Sequence, residues 1–579
     1  SATRYETPQS QVASDITVIT KEDISYLPVH DLSEALNYIP GLVIDRNGGP
    51  GQTVTPSIQG SDTNHIKFVI DDIPLSLLSG DAIDLTMMPV ENIERVEIVK
   101  GSASSVWGAS LGGVVNIVTR SPTDEPTAEI GFSLGDKETR KYNGLASGKK
   151  GGIGYFLSAG RMETDGFFSN QKAEINTLYG KLIKEIGNGY SAEASYGHNN
   201  ADRGLGQYYD PYAGATYSAD NEMRDSYGRL KLGYSNGKDL DTSVSIYDRV
   251  FYYKRTDTYD IPSTSVTTGR ENSYGMVLKS GWKYSSNGVL SAGAEGSHAT
   301  TDWNYYPKEY DTDKGAIYLN DIHTAGPLTL NTAIRYDNDS VFGSDISPSA
   351  GVVFDAGHST LFRLNAARGF TPPPLLARYW GNGNPDLHAE RAWTYQAGIE
   401  SHIIPMLLAK ATFFRADIEE MLDWLYDPLT YTEDKVVNIN KARRQGVEVE
   451  AKTDEYKGLS FSYGYAFNDI RDLEADATIK NRARITHDAG VSYRGPLETM
   501  TTVKGHYVWL NADDGWPFNA KDKNFIWDAK VSKYFAKWKG VMGELFVSVH
   551  NIFDEDQFLM EIYPNPGRWI EGGVSLTFY

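Results

Sequence analysis

The sequence predicts an all-β transmembrane barrel of about 22 antiparallel strands, with an N-terminal mixed α/β plug domain inside its lumen. Three observations predict it. From about residue 126 onward, apolar and polar residues alternate with a period of two. Tight turns recur there roughly every 30–50 residues. The residues before that point follow a different rule, with helical spacings and short β runs.

Residues 1–122 are the plug. Thr20 with Asp23 three positions on forms an N-cap pair. Asp31 with Glu34 repeats it ahead of Leu32, Ala35, Leu36 and Ile39, an apolar stripe at helical spacing. Pro40-Gly41 stops that helix. The β runs Phe68-Val69-Ile70, Val96-Glu97-Ile98-Val99 and Val114-Val115-Asn116-Ile117-Val118 follow.

Residues 123–579 are the barrel. In Phe461-Ser462-Tyr463-Gly464-Tyr465-Ala466-Phe467-Asn468 every second residue is aromatic. Tyr395, Ala397, Ile399 and Ile403 alternate with Gln396, Gly398, Glu400 and His402. A soluble sandwich also has one apolar and one polar face, so the spacing of the turns decides. They fall at Lys149-Lys150-Gly151, Gly187-Asn188-Gly189, Asn236-Gly237, Asn287-Gly288 and Gly326-Pro327, then at Ala356-Gly357, Ile404-Pro405, Lys457-Gly458, Gly495-Pro496 and Lys539-Gly540. Each interval has room for two strands of about ten residues and one longer loop. The polar, aromatic-rich stretches 201–222, 254–268, 301–314, 368–391, 420–445 and 509–524 are the candidate loops. About ten turns, with both termini on their side, make roughly 22 strands. A barrel that wide has a lumen to fill.

Composition bounds the function. No stretch reaches the ~18 consecutive apolar residues of a transmembrane helix, and mean hydropathy is −0.42. The chain holds 37 Tyr, 56 Gly and no Cys, which removes disulfides, thiolate metal sites and Cys nucleophiles together. With 55 basic and 76 acidic side chains the net charge is −21, the wrong sign for a nucleic-acid partner. No nucleophile elbow, phosphate loop or HExxH motif occurs, so the chain does not read as an enzyme and no cofactor is required.

Several phrases carry a family resemblance. In the plug they are SATRYETPQSQVASDITVITKEDI (1–24), DLSEALNYIPGLVI (31–44), PSIQG (56–60), FVIDDIPL (68–75) and IERVEIVKGSASSVWGASLGGVVNIVTR (93–120). In the barrel they are ISPSAGVVFD (346–355), GNPDLHAERAWTYQAGIE (383–400), QGVEVEA (445–451), NIFDEDQ (551–557) and PGRWIEGGVSLTFY (566–579). Together they resemble the TonB-dependent outer-membrane receptors over essentially the whole chain. The last strand puts Ile570, Val574, Leu576 and Phe578 on one face and ends on an aromatic, which resembles the signal read by barrel-insertion machinery.

The resemblance implies a monomeric, multi-pass protein of the outer membrane of a Gram-negative bacterium, in contact with lipid and lipopolysaccharide. It implies uptake without catalysis. A scarce, large organometallic ligand binds outside, and TonB, with its inner-membrane energising complex, acts through a segment at or before Ser1. A passive porin would lack the plug phrases, and a soluble adhesin would lack the lipid-facing alternation. The chain departs from the family at Gln59-Gly60, where Arg-Gly is usual, and at Asp71-Asp72, where Asp-Gly is usual. Loss of a buried Arg predicts that plug anchoring leans on other contacts.

The plug loops 45–56 and 76–86 face outward in this reading. Asn47-Gly48-Gly49-Pro50-Gly51-Gln52, with SDTNH (61–65) after it, resembles the matching loop of the cobalamin receptors, and glycines there let backbone approach a large flat ligand. The leading expectation is cobalamin or another corrinoid held by Asn47, Gly48, Gly49 and Gln52. A Gly-rich apex suits ferric-siderophore receptors too, and an iron-siderophore ligand is the alternative. Tyr209, Tyr212, Tyr305, Trp380 and Trp516 are the candidate vestibule aromatics, against the reading that loop Tyr and Trp form an interfacial girdle. The cobalamin resemblance also implies calcium in extracellular loops, where Asp210, Asp220 and Glu222 offer hard oxygen donors; merely solvated acids look the same. Haem is disfavoured, because no His precedes NPDL in 369–387, His388 falls after it, and His65 alone reads as structural.

Overall fold

The computed structural model describes the chain apart from residues 1–2, 81–82, 211–213, 262, 381–382, 427–432, 512–523, 539 and 558–563, and apart from the side chains of 210, 263, 424–426, 433–435 and 536–538. The first two plug helices start where their caps dictate. Thr20 Oγ1 accepts the Asp23 N–H at 3.2 Å while the Asp23 carboxylate accepts the Thr20 N–H at 3.0 Å, a reciprocal box ahead of Lys21–Ser25. Asp31 accepts the Glu34 N–H at 3.1 Å ahead of Leu32–Leu36, and both of those leucines are wholly buried.

The anticipated β runs become the strands Ile66–Ile70, Ile93–Lys100 and Gly113–Thr119. They form one sheet in the order Ile16–Thr20, Ile93–Lys100, Gly113–Thr119, Ile66–Ile70, Ile73–Pro74. The pairing of Ile66–Ile70 with Gly113–Thr119 is parallel and the others are antiparallel. Val96, Ile98 and Val114 are fully buried in it, and Ile58 and Leu75 share one core cluster with Val96 and Ile98. A separate hairpin, Leu42–Arg46 with Val54–Ile58, carries the apex 47–53.

The barrel has 22 strands from Thr127–Gly135 to Trp569–Phe578, and the last closes on the first with Val574 opposite Phe132. The short turns join strands where expected, from Lys150 to Ile153 at the first and Trp538 to Val541 at the last. Alternation sorts the two faces. Phe461 and Tyr463 point outward and are exposed, while Gly464, Ala466 and Asn468 are buried. In the final strand Ile570 and Phe578 are exposed, while Trp569 and Glu571 are buried against the plug.

The polar stretches correct the expectation of long loops. Tyr190–Asp210 and Ala215–Ser235 run 21 residues each and Ser263–Ser285 runs 23. A membrane crossing takes only ~10, so 201–222 and 254–268 mostly continue the ladder above the bilayer. Alternating Tyr, Thr, Val and Arg keep their strand preference there, since polarity by itself does not end a strand. The stretch 368–391 does break: its strand ends at Thr371, the helix Leu375–Tyr379 follows, and pairing resumes at Glu390.

Candidate ligand vestibule and plug interface

Charges on the lumen wall are answered by charges on the plug. Lys100, whose side chain is wholly buried, donates to the Pro40 carbonyl at 2.8 Å and pairs with Glu448 at 2.5 Å and Glu450 at 3.5 Å. Burial acts to discharge it, but Glu448, Glu450 and Asp15 outweigh that and hold its pKa well above the usual lysine value. Asp84 meets Arg203 at 2.7 Å, and Asp15 meets Lys410. At the Asp71-Asp72 turn both residues take positive φ, 45° and 74°, where glycine is unstrained. The extra carboxylate lies 2.7 Å from Lys279 and 3.3 Å from Arg229 on the wall. Burial works to raise the Asp72 pKa, but these two cations hold it well below the usual range.

His30 is the histidine of this interface. Its ring contacts Glu34 at 3.0 Å and Glu571 at 2.7 Å, beside His550 and Trp569, which stack at 3.9 Å. Burial acts to lower its pKa, yet the two carboxylates push it up to about 10, so it is cationic at neutral pH. Gln59 contrasts with both. It is fully buried, and its side-chain oxygen and nitrogen have no hydrogen-bond partner among the described residues. Anchoring therefore rests on other positions, as its sequence implied. His65 is structural: it meets Glu390 at 2.8 Å, and both are buried.

On the side away from the short turns, the second plug loop reaches the wall. Glu271, facing the lumen, accepts the Leu78 and Ser79 N–H groups at 2.6 and 2.9 Å. The helix Leu375–Tyr379 descends onto the same spot, with the Leu376 N–H donating to Ser79 at 2.9 Å and the Leu375 N–H to Leu78 at 3.4 Å. Gly80, at φ +91°, permits this approach, since a Cβ there would overlap Pro374.

Aromatic rings ring this contact. Tyr305 lies 5.3 Å from Trp303 and 6.3 Å from Trp380, and Tyr310 stacks on Tyr379 at 4.4 Å. The Arg378 guanidinium sits 5.3 Å from the Phe342 ring and 5.4 Å from Tyr379. Its Nε is buried without a hydrogen-bond partner among the described residues. Lys308 lies 5.2 Å from Tyr310. Aromatic faces with an unspent guanidinium donor suit a planar, anionic ligand.

The first plug loop is placed differently. Gln52 is wholly buried, and its amide donates to the Gln171 carbonyl at 2.9 Å. Asn47 donates to Thr53 Oγ1 at 2.9 Å, while Gly48 and Gly49 pack on Gln171 and Phe167. Those glycines do allow a close approach, and here it is the barrel segment 165–172 that approaches. Beneath the hairpin lies a cavity of about 190 Å³ bordered by Tyr38, Asp45, His506, Asp528 and Trp569. Burial pushes Asp45 up to about 6.

Of the vestibule aromatics expected from sequence, Tyr305 and Trp380 meet in the cluster. Tyr209 stands apart, exposed at the tip of its strand. Tyr212 and Trp516 lie outside the described residues. Of the candidate calcium donors, two have described side chains. Asp220 is exposed, Glu222 pairs with Lys254 at 2.6 Å and Arg224 at 3.7 Å, and the Asp210 side chain lies outside the description. Asp311 and Asp313 gather beside His298 on the outer wall. Tyr253, Tyr310, Arg378 and Glu271 escaped the sequence reading. Counting the period of two upward from buried Val277 would have put Glu271 on the lumen face.

Comparison with known proteins follows this geometry. The family "TonB dependent receptor-like, beta-barrel" matches residues 164–552, and "TonB-dependent Receptor Plug Domain" matches 8–114. The chain is similar in structure to the siderophore receptor PirA from Acinetobacter baumannii, at 16% identity and TM-score 0.78, covering 97% of this chain and 98% of that one. It is similar to a mutant of the ferric enterobactin receptor PfeA from Pseudomonas aeruginosa in complex with enterobactin, at 16% identity and TM-score 0.79, covering 98% and 100%. It is also similar to P. aeruginosa FpvA bound to a pyoverdine–iron complex, at 15% identity and TM-score 0.80, covering 100% and 88%. At such identities the likeness is one of fold.

Proposed function

This chain belongs to the TonB-dependent receptor family of the Gram-negative outer membrane, and from that premise we propose that it imports a ferric siderophore whose iron-binding groups are aromatic and anionic. The family is one of receptors and transporters, not of enzymes. The observation that carries the ligand class is the Arg378 guanidinium, which donates to the Pro385 carbonyl and lies beside the Phe342 and Tyr379 rings in the cluster above Leu78. A net charge of −21 repels anions at long range, but Arg378 and Lys308 supply local positive charge where the rings converge. PirA, PfeA and FpvA, whose folds this chain shares, are described with siderophores, enterobactin and pyoverdine. The corrinoid reading leaned on 47–52, of which Gln52 is turned against the barrel segment 165–172 while Gly48, Gly49 and Pro50 border the cavity beside Asp45 and His506.

The same contact links ligand to plug. A siderophore seated on Tyr305, Tyr379 and Trp380 presses on the helix Leu375–Tyr379, which is hydrogen-bonded to the plug at Leu78 and Ser79. TonB then acts on a plug that already carries the mark of occupancy.

The test is a titration of the detergent-solubilised protein with ferric enterobactin, a catecholate, and with cyanocobalamin, each with and without calcium, following Trp fluorescence. The catecholate binds saturably and Arg378→Gln weakens it about tenfold or more, the range for losing a charge-assisted contact. Cyanocobalamin binding without catecholate binding would overturn the reading, and a calcium requirement would reopen the loop acids as ligands.

A further inference from the structure

The cavity of about 190 Å³ between the plug hairpin and the barrel wall holds polar groups that the vestibule does not use. Alternation explains why they meet there. In the hairpin strand Leu42–Arg46, Leu42 and Ile44 belong to the plug core, while Val43 packs on Ala483 and Val508 of the wall. Asp45 is two residues on from Val43 and so faces the wall as well. In the wall strand Thr499–Leu510, Thr502, His506 and Val508 are buried on the lumen side. His506 is two residues from Val508, so the packing of Val43 on Val508 brings the Asp45 carboxylate and the His506 ring to one cavity.

His506 is oriented the way a metal-binding imidazole is oriented. Its Nδ1 lies 2.5 Å from Asp488 Oδ1 on the neighbouring strand. A carboxylate accepts, so Nδ1 donates, and in the neutral ring Nε2 keeps its lone pair. Asp488 does not border the cavity, so the ring meets the cavity with the side opposite Nδ1. The residue is 4% exposed, and Nε2 is buried with no hydrogen-bond partner among the described residues. Two further acceptors bordering the cavity share that condition: Asn37 Oδ1, and Nε2 of His550, whose ring stacks on Trp569. The Asp45 carboxyl has no hydrogen bond or ion pair among the described residues, and burial alone acts on it.

No cation nearby is left over for these acceptors. Arg46 meets Glu34 at 3.2 Å, and His30 is shared by Glu34 and Glu571. Against these two cations stand Glu34, Asp45, Asp488, Asp528 and Glu571. Buried acceptors under an excess of negative charge are complementary to a cation. Imidazole nitrogen with carboxylate and amide oxygen is a donor set for a borderline divalent metal such as zinc, whereas calcium takes oxygen alone. Asp45, His506 and His550 do not bring three donor atoms within 4.8 Å of one another, so an ion here keeps water between itself and part of the set. The volume accommodates that: one water needs only ~10–15 Å³, while pockets for organic ligands begin at ~300 Å³.

We propose that this cavity binds one divalent transition-metal ion of the zinc type through His506 Nε2 and the Asp45 carboxylate. Asn37, His550 and water complete its shell, and the ion ties the plug hairpin to the wall. Asp488 is a positioning residue for the imidazole.

The test is calorimetric titration of the detergent-solubilised full chain, stripped with a chelator, with zinc and separately with calcium. Zinc binds saturably at this site and calcium does not. D45N and H506Q each weaken zinc about tenfold or more, and D488N weakens it about tenfold by freeing the ring. Cobalt bound in place of zinc gives visible absorption bands that H506Q alters. H298Q, which disrupts the His298, Asp311 and Asp313 group on the outer wall, leaves zinc affinity at this site unchanged. Barrel closure is checked by heat-dependent gel migration, and D45N, on the plug, carries the test if H506Q does not close. Absence of zinc binding, equal affinity in the closed D45N and H506Q variants, equal binding of calcium, or a loss confined to H298Q would each overturn the site.

Discussion

Lys100 and Glu448 sit out of water, and neither charge is tolerable there without the other. Lys100→Met strands Glu448, so the plug should lose ~3–5 kcal/mol against denaturant, whereas Lys100→Met with Glu448→Leu should recover most of it. A double-mutant cycle on the plug transition reads this directly. His30 gives the pH signature. Its pKa, about 10 in the fold against ~6.5 unfolded, means the stabilisation is full below pH ~6.5 and is lost progressively as pH rises to about 10. His30→Gln should abolish that dependence, and an unchanged slope would exclude His30 as its source. The sequence indicated that anchoring had moved away from Gln59, but not where to. Ion-pair partners such as His30 and Glu571 lie more than five hundred residues apart, and no local spacing records their meeting.

Among the elements, the helix Leu375–Tyr379 ties vestibule to plug at the same place as Glu271. Gly80→Val would drive a side chain into Pro374 and lift the helix from Ser79. Siderophore affinity should then fall about tenfold, the cost of one to two lost hydrogen bonds, while the barrel's unfolding temperature stays unchanged. Equal affinity in Gly80→Val would detach the helix from ligand binding. Helix caps and tight turns were legible because their chemistry is local: Thr20 with Asp23, Asn236-Gly237 and Gly326-Pro327 act within a few residues. The tall hairpins were not. Tyr, Thr and Asp in 201–222 read alike in a loop and in a strand above the membrane, and only the ladder itself distinguishes them.

At the scale of the whole molecule, one closed wall and one plug share a charge-paired interface. The strand number was legible because turn spacing and side-chain period are set by membrane thickness and strand geometry, constraints every crossing repeats. The vestibule was not, because it brings together side chains far apart in sequence, Glu271 and Trp303 on the wall with Arg378 on the helix Leu375–Tyr379. The most direct measurement is accumulation of radioactive iron from ferric enterobactin in cells that carry this protein as their sole outer-membrane receptor, with and without a protonophore. Iron should accumulate only while the proton gradient stands, and Arg378→Gln should slow it at limiting ligand. Accumulation that ignores the protonophore, or energised uptake of cyanocobalamin with none of iron, would contradict a TonB-driven siderophore receptor.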